Sequence, residues 1–319
     1  MSDYDSVHLL PAYSELDSRA DVSPIVHLGK GFSCIPIMAS PMSTVSETDM
    51  GKCLSKHAAY TIIHRYMSPE SQYDMVTRIA NMGGFVGAAF SASDTHRTRL
   101  LASADIDILM GDVAHGDSKA FYEAVRAIRE SGFAGLVASA NIVTVDGARR
   151  SIDAGCDLLR VGIGAGSVCE TRTVAGVGRN TLKAIREIHA AYPDTHIIAC
   201  GGIRNSGDIV KCLASGASAV LVGRLLAGCD ESPAPKLGDK AIYAGMASYF
   251  SEELRASQDG ANASAWRQTA PEGKHELIDR TGPAGDVIKR LVGGIKAGCA
   301  YVGARSISEL WQKARFEDV

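Results

Sequence analysis

Eight short apolar runs, separated by stretches of helical periodicity, constrain this chain more than any other feature. They are "CIPIMA" from Cys34, "YTIIH" from Tyr60, "GFVGAAF" from Gly84, "DILMG" from Asp107, "GLVASA" from Gly135, "DLLRVG" from Asp157, "HIIAC" from His196 and "AVLVG" from Ala219. Each is too short for a helix and reads as a strand buried on both faces. Between them lie amphipathic stretches such as "SKAFYEAVRAIRES", "TVDGARRSIDAG", "NTLKAIREIHAAY" and "SGDIVKCLASG". Strands alternating with helices predict a parallel sheet covered by helices. Eight such units fit a (β/α)8 TIM barrel. A doubly wound open sheet is the competing arrangement. We read 1–319 as a single domain of this type.

A barrel places its chemistry in the loops after its strands. Those loops are "SPMST" (40–44), "HRYMS" (64–68), "GDVAHGDS" (111–118), "ANIVT" (140–144), "GIGAGSVCETR" (162–172), "CGGIRNSGD" (200–208) and "GRLLAGCDESP" (223–233). They are the glycine-rich and polar parts of the chain. The stretch from about 248 to 285 breaks the rhythm, with no sustained apolar face. A connection that long is usually functional or disordered, and we expect a mobile flap over the barrel mouth.

Composition narrows the class. Net charge is −3 with both signs dispersed, which gives no nucleic-acid footprint. No apolar run reaches membrane-spanning length, and the start of the chain lacks the pattern of a secretory signal. Eight cysteines occur singly without a C-x-x-C pair. Reduced thiols and a cytoplasmic compartment are therefore expected.

Three loops carry the glycines that let backbone N–H groups approach phosphate oxygens: 164–167, 201–208 and 222–224. Two of them follow the seventh and eighth strands, where barrels commonly bind phosphate. Ser167 and Arg224 add a hydroxyl and a cation. Cys169 lies in the first loop, where nearby positive potential would favour its thiolate, and Thr171 is placed to orient a proton.

"RVGIGAGSVCETRTVAGVG" resembles the active-site loop of the IMP dehydrogenase and GMP reductase family. "YDSVHLLPAYSELDSRADV", "SPMSTVSETDM", "GDVAHGDSKAF", "ANIVT", "GGIRNSGDIVKCLASGASAVLVGRLLAGCDESP", "YAGMAS" and "GDVIKRLVGGIKAGCAYVGARSISEL" follow the family order. The resemblance implies a (β/α)8 barrel, usually a homotetramer, that binds a purine nucleoside monophosphate. It makes Cys169 the nucleophile at purine C2, Thr171 its proton-handling neighbour and Glu272 the flap glutamate. Ser167, Gly202, Gly223, Arg224 and Tyr243 would surround the phosphate, with Gly201 beside Gly202. Ser40 and Met42 would lie near the nucleotide, and Met246 and Ala247 near the base. Asp112 and Asn141 match the nicotinamide side. Backbone carbonyls of Gly164, Gly166 and Cys169 match a monovalent-cation site, with K+ as the ion.

Within the family the chain looks most like a GMP reductase using NADPH. The short path from "IIHRYMS" to "GGFVGAAF" leaves no room for the CBS domains of full dehydrogenases. The flap holds Arg255-Ala256 and Arg267-Gln268 rather than the dehydrogenase Arg-Tyr pair. Flap length, "TVAGVG" and "APEG" pull toward IMP dehydrogenase with NAD. A non-catalytic nucleotide-binding homologue is the third reading. The family's Asp-Gly-Gly is Cys200-Gly201-Gly202 here, Ser43 replaces an aspartate, and Arg224 replaces a small residue. Losing a charged acceptor for the ribose diol costs about 1.5–3 kcal/mol. That opens the site to a 2′-deoxynucleotide such as dGMP; the competing reading is drift in a site that still uses GMP.

Overall fold

The computed structural model describes residues 3–259 and 270–319, with the side chains of 255–259 left aside. All eight apolar runs form strands: β1 (Ile37–Ala39), β2 (Tyr60–Ile63), β3 (Val86–Phe90), β4 (Ile108–Gly111), β5 (Leu136–Ala138), β6 (Leu158–Val161), β7 (His196–Cys200) and β8 (Ala219–Val222). They close into a parallel barrel in chain order, with β8 paired to β1. The open-sheet alternative is thereby excluded. Side chains on both faces of these strands are almost all buried, as a strand between a packed barrel interior and a coat of helices requires.

The helices between strands are α1 (Thr48–Ser55), α2 (Pro69–Ala80), α3 (Thr95–Ala102), α4 (Lys119–Glu130), α5 (Val145–Ala154), α6 (Thr181–Ala191) and α7 (Ser206–Ala214), with α8 (Ala284–Val302) closing the ring. Their starts are set locally. Thr144, Asn180 and Asn205 each accept a backbone N–H three residues on, at 3.0, 3.0 and 2.9 Å. Helix α4 buries Phe121, Tyr122, Val125 and Ile128, the stripe its period predicts. Only α2 occupies the connection from β2 to β3.

The expected flap is more structured than its sequence suggests. Tyr249–Asp259 is a helix, and His275–Asp279 is a strand paired antiparallel with Lys240–Ala244. We label these two strands β9 (Lys240–Ala244) and β10 (His275–Asp279). Helix α8 begins at Ala284, inside the expected boundary of 285. Arg267, Gln268 and the centre of the expected mobile flap lie outside the described residues. Near the ends of the chain, Val7–Leu9 pairs antiparallel with Phe316–Asp318 across one side of the barrel.

Candidate active site

A cavity of about 730 Å³ opens at the C-terminal ends of the barrel strands. Every site residue expected from the sequence lines it. The loop after β6 brings Gly164, Gly166, Ser167, Cys169 and Thr171; the last residue of β7 is Cys200, and the loop after it brings Gly201 and Gly202. Gly223 and Arg224 follow β8, Ser40 and Met42 follow β1, and Asp112 and Asn141 follow β4 and β5. Tyr243, Met246, Ala247 and Glu272 arrive from the β9–β10 region. Ser43 does not line the cavity; its N–H reaches Met246 Sδ at 3.3 Å.

The β6 and β7 loops interlock tightly. Gly162 has φ +148°, and a Cβ there would stand 1.9 Å from the Cys200 carbonyl oxygen. A Cβ on Gly202 would meet the Ala165 oxygen at 2.5 Å. Both positions need glycine for space and for backbone conformation. Their packing sets the thiol-bearing loop against the loop that carries Cys200.

Cys169 Sγ and Thr171 Oγ1 lie 3.2 Å apart. The flap side completes this group. Glu170 N–H donates to the Glu272 carbonyl at 2.7 Å, and Cys169 and Gly273 form an antiparallel bridge. Lys274 N–H donates to the Val168 carbonyl at 3.0 Å, and Lys274 Nζ pairs with Glu170 at 3.0 Å. Sequence-distant residues are thus held beside the thiol by backbone hydrogen bonds. Burial pushes the Cys34 thiol up to about 12 and that of Cys229 to about 11, so neither of these two is a ready nucleophile.

Several site residues were not read from the sequence. Arg160, 7% exposed inside β6, donates from Nε to Cys200 Sγ at 3.4 Å and from Nη1 to Asp112 Oδ1 at 3.1 Å. Arg65 pairs with the other Asp112 oxygen at 3.3 Å. Asp3 takes both Nη groups of Arg172 at 2.9 and 2.8 Å. Glu276 Oε1 accepts from Arg224 Nε at 2.9 Å and from Ser167 Oγ at 3.3 Å. The only visible signal for Arg160 was a cation inside an apolar run; the others depend on contacts between distant segments.

Tyr243 is buried, its hydroxyl 3.5 Å from Met42 Sδ. Burial raises its ionisation well above the usual phenol range, with the Glu276 charge adding to the effect. A Cβ on Gly223 would stand 2.6 Å from that hydroxyl and 2.9 Å from Met42 Sδ. Bare backbone at Gly223 therefore leaves the pocket open. Asn141 Nδ2 donates to the Gly162 carbonyl at 2.7 Å, while its buried Oδ1 has no partner among the described residues. Gly166 carbonyl accepts Cys169 N–H at 3.1 Å.

A closed (β/α)8 barrel whose mouth holds one cavity lined by Cys169, Thr171 and Glu272 has the form of an enzyme site. The model of the IMP dehydrogenase / GMP reductase domain matches residues 2–319, and the chain belongs to that family of oxidoreductases. Inosine-5′-monophosphate dehydrogenase of Aquifex aeolicus is 40% identical over 80% of this chain, which spans 53% of that relative's length. GMP reductase of Onchocerca volvulus is 33% identical over 98% of this chain and 90% of its own. A GMP reductase from Trypanosoma brucei, solved in complex with guanosine 5′-monophosphate, has the same fold: TM-score 0.91 at 24% identity, over 99% of this chain and 95% of that one. No described helix is long and apolar enough to cross a membrane.

Proposed function

We propose that the chain is a GMP reductase that converts GMP, or dGMP, to IMP or dIMP and ammonia. The observation that carries this reading is the convergence of Cys169, Thr171 and the Glu272 segment at the mouth of one cavity. Cys169 Sγ adds to purine C2, an electrophilic carbon that suits a soft thiolate. The 2-amino group leaves as ammonia, taking protons handled by Thr171 and Glu272; once C2 has gained hydride, the C2–Sγ bond breaks, releasing IMP or dIMP and restoring the Cys169 thiolate. Met246 and Ala247 hold the base. Ser167, Gly202, Gly223, Arg224 and Tyr243 surround the 5′-phosphate, and Ser40, Met42, Cys200 and Gly201 face the nucleotide.

NADPH, when bound, supplies the hydride that reduces C2. The residues present fit its nicotinamide half: the free acceptor Asn141 Oδ1 suits a carboxamide N–H, beside the ion-paired Asp112. Carbonyls of Gly164, Gly166 and Cys169 are the hard oxygen ligands a potassium ion takes, and turnover in potassium against lithium salts tests that role. We also expect a cytoplasmic homotetramer, a state that light scattering measures.

The test is NADPH absorbance with GMP and dGMP, and ammonia release. Oxidation of NADPH with either substrate, lost by roughly a thousandfold or more in Cys169→Ser, upholds the reading. NADH formation from IMP refutes it in favour of the dehydrogenase, the reading that the 40% identity to the Aquifex relative favours. Tight nucleotide binding without any turnover leaves the non-catalytic homologue.

A further inference from the structure

We infer that Glu276 is a specificity-determining residue, setting how strongly the site prefers a phosphorylated over an unphosphorylated purine nucleoside. The inference rests on the assignment of Ser167 and Arg224 to the 5′-phosphate. In the structure both donors converge on one atom, Glu276 Oε1, at 3.3 and 2.9 Å. An anionic carboxylate oxygen thus occupies the point where a phosphate oxygen would collect the same two hydrogen bonds.

The rest of the cavity offers no spare cation to relieve this competition. Five arginines line it among the described residues, and each has a carboxylate partner. Arg65 and Arg160 share Asp112, Arg172 holds Asp3, Arg204 holds Asp5 and Asp208, and Arg224 holds Glu276. The Arg224–Glu276 pair is partly exposed, at 48% and 29%, so it is weak and a dianion opens it. The displaced carboxylate nevertheless stays close, because β10 pairs Glu276 directly with the pocket residue Tyr243. Two like charges then face one another across the cradle. A 5′-hydroxyl meets the opposite situation: it donates to Glu276 Oε1 and leaves the ion pair intact. Glu276 thereby weakens the hold on a nucleotide and favours a nucleoside.

The experiment compares kcat/KM for GMP and guanosine in the wild type, Glu276→Gln and Glu276→Thr. Gln keeps the shape without the charge, and Thr suits a strand; thermal unfolding confirms that each variant folds. The GMP-over-guanosine preference is expected to rise about tenfold or more in both variants, mainly through a lower KM for GMP, as removal of uniform ground-state repulsion dictates. An unchanged or smaller preference overturns the inference, since Glu276 would then be orienting Arg224 for phosphate rather than opposing it. Should the wild type turn over neither compound, the reductase reading fails. The inference is then decided by calorimetry with ribose 5-phosphate: tighter binding in Glu276→Gln upholds it, and equal or weaker binding overturns it.

Discussion

Asp3→Asn is the perturbation that best tests how the thiol loop is held. Asp3 is 9% exposed and accepts four hydrogen bonds: two from Arg172, and two from Thr181 through N–H and Oγ1 at 2.8 and 3.0 Å. Arg172 follows Thr171, and its stem lies against Gly164, where a Cβ would stand 2.6 Å from Arg172 Cγ. The tether therefore runs from Asp3 to the loop of the nucleophile. Burial alone would raise the Asp3 carboxyl; the Arg172 and Thr181 hydrogen bonds outweigh it and hold it below its ordinary value. The amide of Asn keeps the volume but turns an N–H₂ toward existing donors. Removing one partner of a buried pair costs about 3–5 kcal/mol. Arg172 is 37% exposed and recovers part of that loss through water, so about 2 kcal/mol is the expected cost. For a domain of this size that is roughly 3 °C in Tm. Iodoacetamide labelling of Cys169, mapped by mass spectrometry, should quicken or slow measurably as its loop loosens. Asp5→Asn, at the half-exposed pair with Arg204, is the control and should move Tm by less than about 1 °C. A Tm change below about 1 °C in Asp3→Asn, with unchanged Cys169 labelling, would refute the tether.

Two further outcomes follow from the geometry. The Arg150 hydrogen bonds hold the Asp117 carboxyl down at about 2. A depressed carboxyl stabilises the fold above its unfolded value of about 3.9 and loses that contribution as pH falls through its folded value. Wild-type stability should thus fall between about pH 4 and pH 2 by more than that of Asp117→Asn, as acid unfolding would show. Gly223→Ala places a methyl group against the Tyr243 hydroxyl and Met42 Sδ. Nucleotide affinity should fall at least about tenfold, as calorimetry with GMP measures, and because Tyr243 is buried the overlap should also cost about 1–3 kcal/mol of stability.

The barrel was legible because each strand is buried on both faces, so that burial writes itself as a continuous apolar run. The caps Thr144, Asn180 and Asn205 are local features too, although none of them was read from the sequence. The flap strand β10 was not legible, because only Ile278 of its five residues is buried and its sequence, "HELID", carries no apolar alternation. Its partner β9 makes it a strand, through five paired positions. Glycine-rich loops and the cysteine loop announced the site, yet the ion pairs that shape it join residues such as Asp3 and Arg172, or Glu276 and Arg224, whose separation leaves no local pattern. A charged residue in a strand, as at Arg160, is the one trace that a closer reading of the apolar runs would have caught.

Arg160 also changes what the Cys200 position means. Taken from sequence alone, a thiol there is a lost acceptor. In the structure its sulfur accepts the Arg160 Nε hydrogen bond, while Nη1 of the same guanidinium holds Asp112 and the Gly111 carbonyl at 3.1 and 3.0 Å. Arg160 therefore keeps its buried charge satisfied without a carboxylate at position 200, by sharing Asp112 with Arg65. That removes the structural need for an aspartate and leaves the Cys200 sulfur, a weak acceptor already engaged, on the nucleotide-facing wall. A vicinal diol placed against such a wall has a hydroxyl without a strong acceptor, and a deoxy sugar has one fewer to satisfy. The dGMP-to-GMP ratio of kcat/KM reads this difference directly. A ratio above one is expected, and a ratio at or below one would mean that another cavity residue has taken over the diol.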